Sequence, residues 1–595
     1  MARLPAAPRL IVDGSGAPRV VDFDDIYFAT EDGLAESEAV FLSGCGLPDA
    51  WRGRRRFTIG ELGFGTGLNF FAALQAWKNT SEPGAWLDFV SLEGFPLSKA
   101  QATDALQRWP GLAHLTEPLL NAWPERARGV RRIILPDFRT RLTLHVDDVL
   151  LALKGMTASV DAWFLDGFAP SKNPDMWSEA VFEEVARLSA PHATAATFTV
   201  AGHVRRGLQA VGFEVEKRPG FGRKNEVLSA TRRTTAEPTN APRSALIVGA
   251  GLAGAWAAVR LKERGLQVTV VDAADGPAQG ASGNPLGLIM PRLDAADGPL
   301  SRVLIDAYLF ARQAYDGRGS SQRLAVTQRA ASEIEQKRFG KLDRDPPLDA
   351  SDLTIGPGHA TYHNAAILNP AEAVRTLLEG VDTRFGVAVS ALQQTQDGWR
   401  LLDEGGKAQG EADLVILANG LGVDDLARDC GVPLQGKLGQ IEIASLPARD
   451  GADAVASGDY AIRLGDLAVF GATFEAYDGG PIGTSDAART KNLEGLKTLS
   501  PAWARELEPK TLTSRAGVRA TTPDRLPVMG AAPERPGVYL LTGYGSRGLT
   551  WAPFLAEALA SEIMNEPHIL TKQGKALLAP ERFAQRAAKK RQTTR

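Results

Sequence analysis

Short apolar runs alternate with longer stretches of mixed polarity along the first part of the chain. The runs have the length and composition of buried strands, and a helix is expected to begin near Leu68. Strands that alternate with helices predict an α/β fold in which helices cover both faces of a parallel sheet. The predicted strands are 57–59, 87–92, 142–146 and 161–165.

Acidic residues stand at the ends of these strands. Glu93, the pair Asp147 and Asp148, and Asp166 each follow or close one of them. Ligands of open α/β sheets bind outside the carboxyl ends of the strands. Acids gathered at that edge would repel one another without a polar or cationic ligand, so we expect a ligand site there.

A second α/β pattern begins after a polar stretch. Residues 232–243 contain two prolines and separate two strand-like runs, as a linker would. The predicted division is a first domain over residues 1–235, a linker over 236–243 and a second domain over 244–595. Within the second domain, a substrate subdomain is expected at roughly 288–413 and 431–524.

The composition narrows the class of protein. A chain of 595 residues exceeds one hydrophobic core, and a formal net charge of −3 gives no overall electrostatic case for nucleic acid. Cys45 and Cys430 suffice for neither a zinc cluster nor a disulfide framework. The chain starts without an apolar leader, and no run reaches the roughly 18 residues of a membrane span. We expect a cytoplasmic enzyme with no metal and no membrane association, and nothing requires more than a monomer.

The first candidate site is a glycine-rich loop, ELGFGTG, that follows the first strand. Gly63, Gly65 and Gly67 let the backbone approach a ligand closely, because no side chain intrudes. The loop resembles the S-adenosylmethionine loop of class I methyltransferases, and it lacks the GxGxxG spacing of a phosphate-binding loop. A Rossmann-like domain for another adenosine cofactor is the alternative.

The resemblance assigns roles to the acids around this loop. It implies that Glu61 contributes to the methyl-donor site and that Glu93 accepts hydrogen bonds from the ribose hydroxyls. Asp147 or Asp148 would face the adenine edge or the amino-acid part, and the sequence does not choose between them.

The segment from Asp166 to Trp177 stands where amino-methyltransferases carry their catalytic loop. An amine must lose a proton before its lone pair attacks a methyl sulfonium, and Asp166 is placed to take that proton or to orient the nitrogen. Phe168 and Trp177 offer flat faces to a flipped base. The alternatives are a helix cap for Asp166 and core packing for the two aromatic residues.

Basic residues beside this segment are the candidate RNA contacts. These are Lys172, Arg223 and Lys224, which lie next to the predicted methyltransferase pocket. Two arginine-rich clusters, at 52–56 and 126–132, are interpreted as solvated faces in preference to phosphate contacts.

The second candidate site is the loop GAGLAG. Gly249, Gly251 and Gly254 lie between the predicted strand 245–248 and a helix through residue 263, and the next strand ends at Asp272. These elements form a dinucleotide-binding fingerprint, in which the helix N-terminus binds a pyrophosphate and the acid binds a ribose.

Segments farther along the chain favour FAD over NAD. The segment 280–284, with Ser282 and Asn284, resembles the part of D-amino-acid oxidase-like flavoproteins that wraps the isoalloxazine. The loop 543–549, with Gly545 and Gly548, resembles their terminal flavin-contacting loop and is expected to lead into a helix near Leu549. The resemblance implies an FAD-binding Rossmann domain with an α+β substrate domain.

Candidate substrate contacts accompany this flavin site. The strand-like run 436–441, with Gln440, resembles the roof over the flavin in that superfamily. Arg519 and Arg547 are candidates to bind a substrate carboxylate, because a guanidinium binds it in a bidentate way, and a salt bridge is the alternative. Cys430 is interpreted as a buried structural cysteine in preference to a covalent flavin tether.

The order of the two halves resembles one family. The first half is similar to tRNA-modifying methyltransferases through residues 166–177, 27–36 and 220–224, and the second half is similar to glycine oxidases. Fused in this order, they resemble bifunctional enzymes that modify the wobble uridine of tRNA. One departure is Gly44-Cys45-Gly46, where that family's motif is expected to carry Gly-Asn.

The resemblance implies two consecutive reactions. FAD-dependent oxidation would remove the carboxymethyl group of a 5-carboxymethylaminomethyl uridine as glyoxylate, and S-adenosylmethionine would then methylate the remaining aminomethyl group. A free amino-acid oxidase fused to a small-molecule N-methyltransferase is one alternative. A tRNA-binding scaffold with one decayed half is another, and the intact glycine loops and Asp166 speak against it.

Overall fold

The computed structural model describes residues 3–12, 18–22, 24–27, 32–222, 225–234, 241–507 and 512–593. The chain forms two compact units. The first comprises Met1–Thr239, Pro347–Asp349 and Asn565–Lys572, and the second comprises Asn240–Pro346, Ala350–Met564 and Gln573–Arg595. Unlike the division predicted from the sequence, the units are not continuous segments. Among the described residues, no helix has the length and apolar character needed to span a bilayer.

An eight-stranded sheet forms the centre of the first unit. Five neighbouring strands are parallel, and antiparallel strands close both edges. Each predicted apolar run overlaps one of the parallel strands, so the α/β prediction is confirmed. The order across the sheet is Phe213–Pro219, Glu226–Arg232, Ser189–Thr197, Val160–Phe164, Arg56–Leu62, Trp86–Glu93, Thr140–Val146 and Gly129–Leu135.

The chain direction of this sheet creates a crevice. Arg56–Leu62 lies between Trp86–Glu93, which follows it on one side, and Val160–Phe164 on the other. The connections therefore leave in opposite directions at the carboxyl end of Arg56–Leu62, which is where α/β sheets bind ligands.

Helices cover both faces of the sheet. Leu68–Thr80 buries Phe70, Phe71 and Trp77 in the main hydrophobic core, at spacings that put them on neighbouring faces of the helix. The other α-helices are Gly33–Ser37, Lys99–Leu106, Ala113–Asn121, Val149–Gly155, Glu179–Leu188 and Gly202–Ala210, and Glu38–Leu42 is a π-helix. A small sheet contains Leu10–Val12, Pro18–Val20 and Asp25–Ile26.

Buried arginines hold the segment Asn565–Lys572 within the first unit. Arg141 forms ion pairs with Asp88 at 2.7 Å and Glu566 at 2.9 Å, and all three side chains are buried. Arg132, also buried, donates to the carbonyl oxygen of Pro567. The interpretation of residues 126–132 as a solvated face is therefore wrong for its strand residues, since side chains enclosed in this way contact protein groups and not solvent.

The second unit has a six-stranded sheet of the dinucleotide-binding type. Five strands are parallel and the last pairs antiparallel. The order is Asp382–Arg384, Gln267–Val271, Ser244–Val248, Leu414–Leu417, Val538–Thr542 and Val528–Ala531. Leu252–Lys262 and Gly548–Ile563 pack together beside this sheet, and these helices begin within a few residues of their predicted starts.

A larger, mostly antiparallel sheet lies almost entirely within the ranges predicted for the substrate subdomain. Its strands are Gly287–Ile289, Gln322–Arg329, Leu353–Gly356, His359–Leu368, Gln435–Ser445, Ala452–Ser457, Asp459–Leu464, Leu467–Gly471, Glu475–Tyr477 and Thr513–Thr521. A third sheet contains Val389–Gln394, Trp399–Asp403 and Ala408–Ala412. The remaining helices are Pro299–Asp316, Glu333–Arg344, Pro370–Leu377, Val423–Ala427, Asp486–Leu499, Pro501–Glu506, Lys572–Leu578 and Arg582–Thr593.

Candidate active sites

A cavity of about 650 Å³ opens at the carboxyl ends of the parallel strands in the first unit. Its volume is in the range of small-molecule and cofactor sites. The structure brings seven of the predicted residues together on its wall: Gly63, Gly65, Glu93, Asp147, Asp148, Asp166 and Phe168. Four others, namely Glu61, Gly67, Lys172 and Trp177, are not on that wall.

The glycine loop has a backbone that only glycine adopts readily. Gly63, Gly65 and Gly67 have φ angles of 92°, 54° and 78°. The loop leads directly into the helix Leu68–Thr80, whose first N–H groups lack partners within the helix. The sharp turn places exposed backbone at the cavity, as an adenosine-containing cofactor requires.

Glu93 ties this loop to the neighbouring strand. Its carboxylate accepts hydrogen bonds from the N–H groups of Gly65 and Phe95, each at 2.8 Å. Burial raises the pKa of Glu93, and these hydrogen bonds oppose the rise. A carboxylate oxygen can accept more than one hydrogen bond, so Glu93 can also accept from ribose hydroxyls. The residues present therefore fit S-adenosylmethionine.

Asn69 links the carboxylates of Asp166 and Glu61. Its amide nitrogen donates to Asp166 at 2.8 Å and to Glu61 at 3.0 Å, while its oxygen accepts from the hydroxyl of Ser37 at 2.6 Å. The backbone N–H of Gly167 also donates to Asp166 at 2.8 Å. Asp166 is thus held at the cavity by fixed donors.

Glu61 supports this arrangement from behind the cavity. It is fully buried and accepts a hydrogen bond from Ser91 at 2.6 Å in addition to that from Asn69. Burial, with the charges of Asp166 and Glu93, holds the pKa of Glu61 well above its usual range. The structure therefore places Glu61 as a partner of Asn69 and not in the cavity.

The acid pair at the third strand has two different environments. Asp148 caps the helix Val149–Gly155 by accepting from the N–H groups of Leu150 and Leu151. Asp147 forms an ion pair with Arg128 at 2.6 Å. Both line the cavity, so the geometry leaves the choice of cofactor contact open.

The two aromatic residues after Asp166 differ in how deeply they are buried. Phe168 lines the cavity, with its ring 5.9 Å from that of Tyr27. Trp177 is only 3% exposed within the core, and its indole N–H donates to the carbonyl oxygen of Phe168 at 3.1 Å. Trp177 therefore supports Phe168 and is too enclosed to stack on a base.

The candidate RNA contacts are less well defined. Lys172 donates to the backbone carbonyl of Asp24 and lies 3.3 Å from its carboxylate. Arg223 and Lys224 lie outside the described residues.

In the second unit, the predicted flavin residues converge at the glycine loop. Asp272 accepts from the N–H groups of Ala250 at 2.6 Å and Ala274 at 2.8 Å. Ser282 accepts from the N–H of Leu252 at 3.0 Å, where the helix Leu252–Lys262 begins after the loop residues Gly249, Gly251 and Gly254. The predicted acid and serine therefore both lie at the loop itself.

The terminal loop and strand Thr513–Thr521 complete this site. The N–H of Gly545 donates to Ala520 at 2.9 Å, and Arg515 donates to the side chain of Asn284 at 2.9 Å. Gly548 begins its helix beside Leu252 of the glycine loop. The strand therefore joins both predicted flavin segments.

Asn419 provides a test of whether a cofactor fits here. It follows the strand Leu414–Leu417, and its backbone packs against Gly249. Its buried side-chain oxygen has no hydrogen-bond partner among the described residues. A buried acceptor without a donor is costly, and the hydroxyl groups of FAD would satisfy it.

Among the described residues, no carboxylate pairs with Arg519 or Arg547. Arg519 donates to the carbonyl of Thr473 at 3.1 Å and Arg547 to that of Met290 at 3.4 Å, and within the described chain neither forms an ion pair. Burial lowers the pKa of Arg519, and burial with the nearby charge of Arg292 lowers the pKa of Arg547 to about 10. A buried cation without an ion pair is costly, so these two arginines favour an anionic ligand.

Gln440 lies close to Arg519 but is occupied. It is 2% exposed, and its amide donates to Glu442 and Ser485 while accepting from the N–H of Ser485. Its side chain therefore holds the subdomain together and has no free group directed at a substrate.

Comparisons with known proteins match both units. The family model of S-adenosyl-L-methionine-dependent methyltransferases matches residues 110–233, and that of FAD dependent oxidoreductases matches residues 244–562. The chain is 40% identical to the tRNA 5-methylaminomethyl-2-thiouridine biosynthesis bifunctional protein MnmC of Maricaulis maris (strain MCS10), over 96% of this chain and 95% of the relative. It is 42% identical to the protein of the same name from Caulobacter vibrioides, over 97% and 98%. Glycine oxidase from Bacillus cereus ATCC 14579 superimposes on 55% of this chain and 98% of its own, with a TM-score of 0.44 and 19% identity.

Proposed function

Since the chain belongs to the family of bifunctional tRNA 5-methylaminomethyl-2-thiouridine biosynthesis proteins, we propose that its two sites act in sequence on one tRNA wobble uridine. The second unit removes the carboxymethyl group from 5-carboxymethylaminomethyl(-2-thio)uridine with FAD. The first unit methylates the resulting 5-aminomethyl(-2-thio)uridine with S-adenosylmethionine.

One observation carries the order of the reactions. Arg519 and Arg547, which have no ion-pair partner in the part of the chain that the structure describes, lie in the FAD-dependent unit. The methyltransferase cavity presents the carboxylate of Asp166. The first substrate carries a carboxylate, and the second carries a basic amine in its place. Each site thus has the charge that complements its own substrate.

In the oxidation, Arg519 and Arg547 would bind and orient the glycine carboxylate of the substrate. FAD, when bound, would accept a hydride from the C–H bond next to the nitrogen of the glycine group, and loss of the proton on that nitrogen would leave a C=N bond in the substrate. Water then hydrolyses the substrate imine, so that glyoxylate leaves and the aminomethyl group stays on the base. The cofactor would be held by Asp272, Ser282, Asn284 and two loops. One loop contains Gly249, Gly251 and Gly254, and the other contains Gly545 and Gly548.

In the methylation, Asp166 would take the proton of the aminomethyl group or orient its nitrogen. The donors Asn69 and Gly167 fix its carboxylate, so its geometry is set before the substrate arrives. Glu93 would bind the ribose of S-adenosylmethionine, with Asp147 or Asp148 beside it. Phe168 would stack on the flipped base.

We extend the proposal to the setting of the enzyme. Lys172, with Arg223 and Lys224 from the sequence prediction, would contact the tRNA backbone. Both cysteines are buried and free, which suits a reducing cytoplasm. Each unit has its own candidate site, so a monomer suffices.

The test is mass spectrometry of nucleosides from tRNA that bears 5-carboxymethylaminomethyluridine. The wild-type protein should yield aminomethyluridine without S-adenosylmethionine and methylaminomethyluridine with it. Asp166→Asn should stop at aminomethyluridine. Arg519→Leu should leave the tRNA unchanged but still methylate tRNA supplied with aminomethyluridine. Unchanged tRNA with rapid oxidation of free glycine would instead support the amino-acid oxidase alternative.

A further inference from the structure

Phe474 is an exposed aromatic residue between two cations. It lies between the strands Leu467–Gly471 and Glu475–Tyr477, and half of its surface (50%) is exposed. The Arg519 guanidinium carbon lies 5.9 Å from the centre of its ring, and Lys437 Nζ lies 6.0 Å from it. A single exposed apolar side chain is common on protein surfaces, and the two cations beside its ring are what distinguish Phe474.

The backbone next to Phe474 is fixed by hydrogen bonds. The preceding Thr473 exchanges hydrogen bonds with Gln440, whose N–H donates to the Thr473 hydroxyl at 2.9 Å and whose carbonyl accepts from its N–H at 3.1 Å. Thr473 also accepts the hydrogen bond from Arg519. The ring is therefore carried on a well-anchored backbone and keeps its place beside the arginine.

Both cations reach the ring from the same face of the sheet. Lys437 on strand Gln435–Ser445 is directly opposite Arg519 on strand Thr513–Thr521, so their side chains share a face. Gly439 lets the guanidinium cross this strand, because a Cβ at this position would lie 2.6 Å from Arg519 Nη2.

This group lies beside the candidate flavin site. Ala520, next to Arg519 in the chain, accepts the hydrogen bond from Gly545 of the terminal loop. Arg515, four residues before Arg519, holds Asn284. The same strand therefore carries the carboxylate-binding arginine and contacts two flavin segments, with Phe474 on the exposed side of Arg519.

We propose that Phe474 is the platform on which the substrate uracil stacks in the oxidation site, with Lys437 directed at the flanking phosphate. The inference rests on the proposed function and deepens it. Four bonds of about 1.5 Å each separate the uracil ring from the carboxylate carbon of its glycine group. A base on Phe474 therefore places that carboxylate within reach of Arg519, which lies beside the ring.

Stacking on an aromatic side chain contributes about 1–3 kcal/mol per base, which is about a 5- to 150-fold change in affinity. A free amino acid would gain nothing from Phe474. The platform would thus make the site select a nucleic-acid-borne glycine over free glycine.

The experiment compares variants of the full FAD-loaded chain. The probe is an anticodon stem-loop RNA with 5-carboxymethylaminomethyluridine, and both its Kd and the rate of glyoxylate release are measured. Phe474→Ala should weaken binding and lower kcat/KM about 5- to 150-fold, whereas Phe474→Trp should retain both. Ile482→Ala, which removes another exposed apolar side chain (57% exposed), should change neither.

A second ligand shows whether Phe474→Ala acts through the loss of base stacking or through displacement of Arg519. Glycolate has a carboxylate and no base, and its binding is followed by the change in flavin absorption. Phe474→Ala should bind glycolate as the wild type does, whereas equal weakening for glycolate and RNA would overturn the platform. If the wild type releases glyoxylate from the RNA and Phe474→Ala does so within twofold, the platform is wrong but the proposed function stands. If the wild type does not oxidise the RNA, both are wrong.

Discussion

Replacement of Asn69 by leucine should slow methyl transfer, although it changes no group that is proposed to contact the reacting atoms. The leucine has similar volume but cannot donate to Asp166 or Glu61, nor accept from Ser37. Asp166 then keeps the hydrogen bond from the N–H of Gly167 but loses the one from Asn69, so its carboxylate is held less firmly towards the amine. The perturbation therefore tests whether the orientation of Asp166 matters.

The magnitude follows from the bond that is lost. A hydrogen bond to a charged group contributes about 1.5–3 kcal/mol, and each 1.36 kcal/mol changes a rate about tenfold. If the bond to Asp166 is made in the transition state, kcat for methylation should fall about 10- to 150-fold. The KM for S-adenosylmethionine should change less, because Glu93 is held by the N–H groups of Gly65 and Phe95.

The assay is single-turnover methylation of tRNA bearing 5-aminomethyluridine, followed by nucleoside mass spectrometry. Oxidation by the second unit of the same chain reports whether the variant is folded. Asn492→Leu is the matched control, because Asn492 is also buried and donates to a buried carboxylate, that of Glu442 at 3.1 Å, in the other unit. It should leave methylation unchanged.

The outcome that refutes this reasoning is specific. If Asn69→Leu methylates within a factor of two of the wild type while Asp166→Asn is inactive, Asp166 acts without being oriented by Asn69. Loss of methylation together with loss of oxidation would instead indicate a folding defect.

Three further predictions concern other parts of the chain. Gly439→Ala should reduce oxidation as strongly as Arg519→Leu while methylation persists, because its Cβ would displace the guanidinium; normal glyoxylate release would contradict this. Burial raises the pKa of Glu93, so its carboxylate protonates at a higher pH than an ordinary glutamate. Calorimetry from pH 8 down to pH 4.5 should therefore show an affinity for S-adenosylmethionine that is constant at first and then falls through the raised pKa. A flat profile over this range would exclude the role. Burial opposes ionisation of Asp524, but Arg582 and Arg586 outweigh it and lower its pKa to about 2, so the folded state gains stability above the ordinary pKa of 3.8 that is lost as pH falls towards 2. Asp524→Asn should therefore lower the free energy of unfolding by about 1–2 kcal/mol at pH 7, allowing for solvent screening. In thermal unfolding, the difference between this variant and the wild type should shrink below pH 4. An equal difference at pH 2 would show that the charge of Asp524 is not its cause.

The sequence alone determined the architecture and the two chemistries. Strand-forming apolar runs, glycine loops such as Gly249–Gly254, and acids such as Asp272 are local patterns, and each depends only on neighbours within about 25 residues. The helix starts at Leu68 and near Leu549 were predictable for the same reason, since a helix end is specified by a few adjacent residues. The cofactor classes followed from the resemblance of these loops, and of the segments 280–284 and 543–549, to those of known families.

Only the tertiary structure decided which side chains act and which support. Asn69 meets Asp166 across 97 residues of chain, and nothing local distinguishes it from any other helical asparagine. Trp177 and Gln440 matched family motifs, yet burial encloses both side chains. Phe474 belongs to no motif, and its proposed role depends on the cations that strand pairing brings beside it. Burial, ion pairing and hydrogen-bond saturation depend on distant parts of the chain, and folding alone brings those parts together.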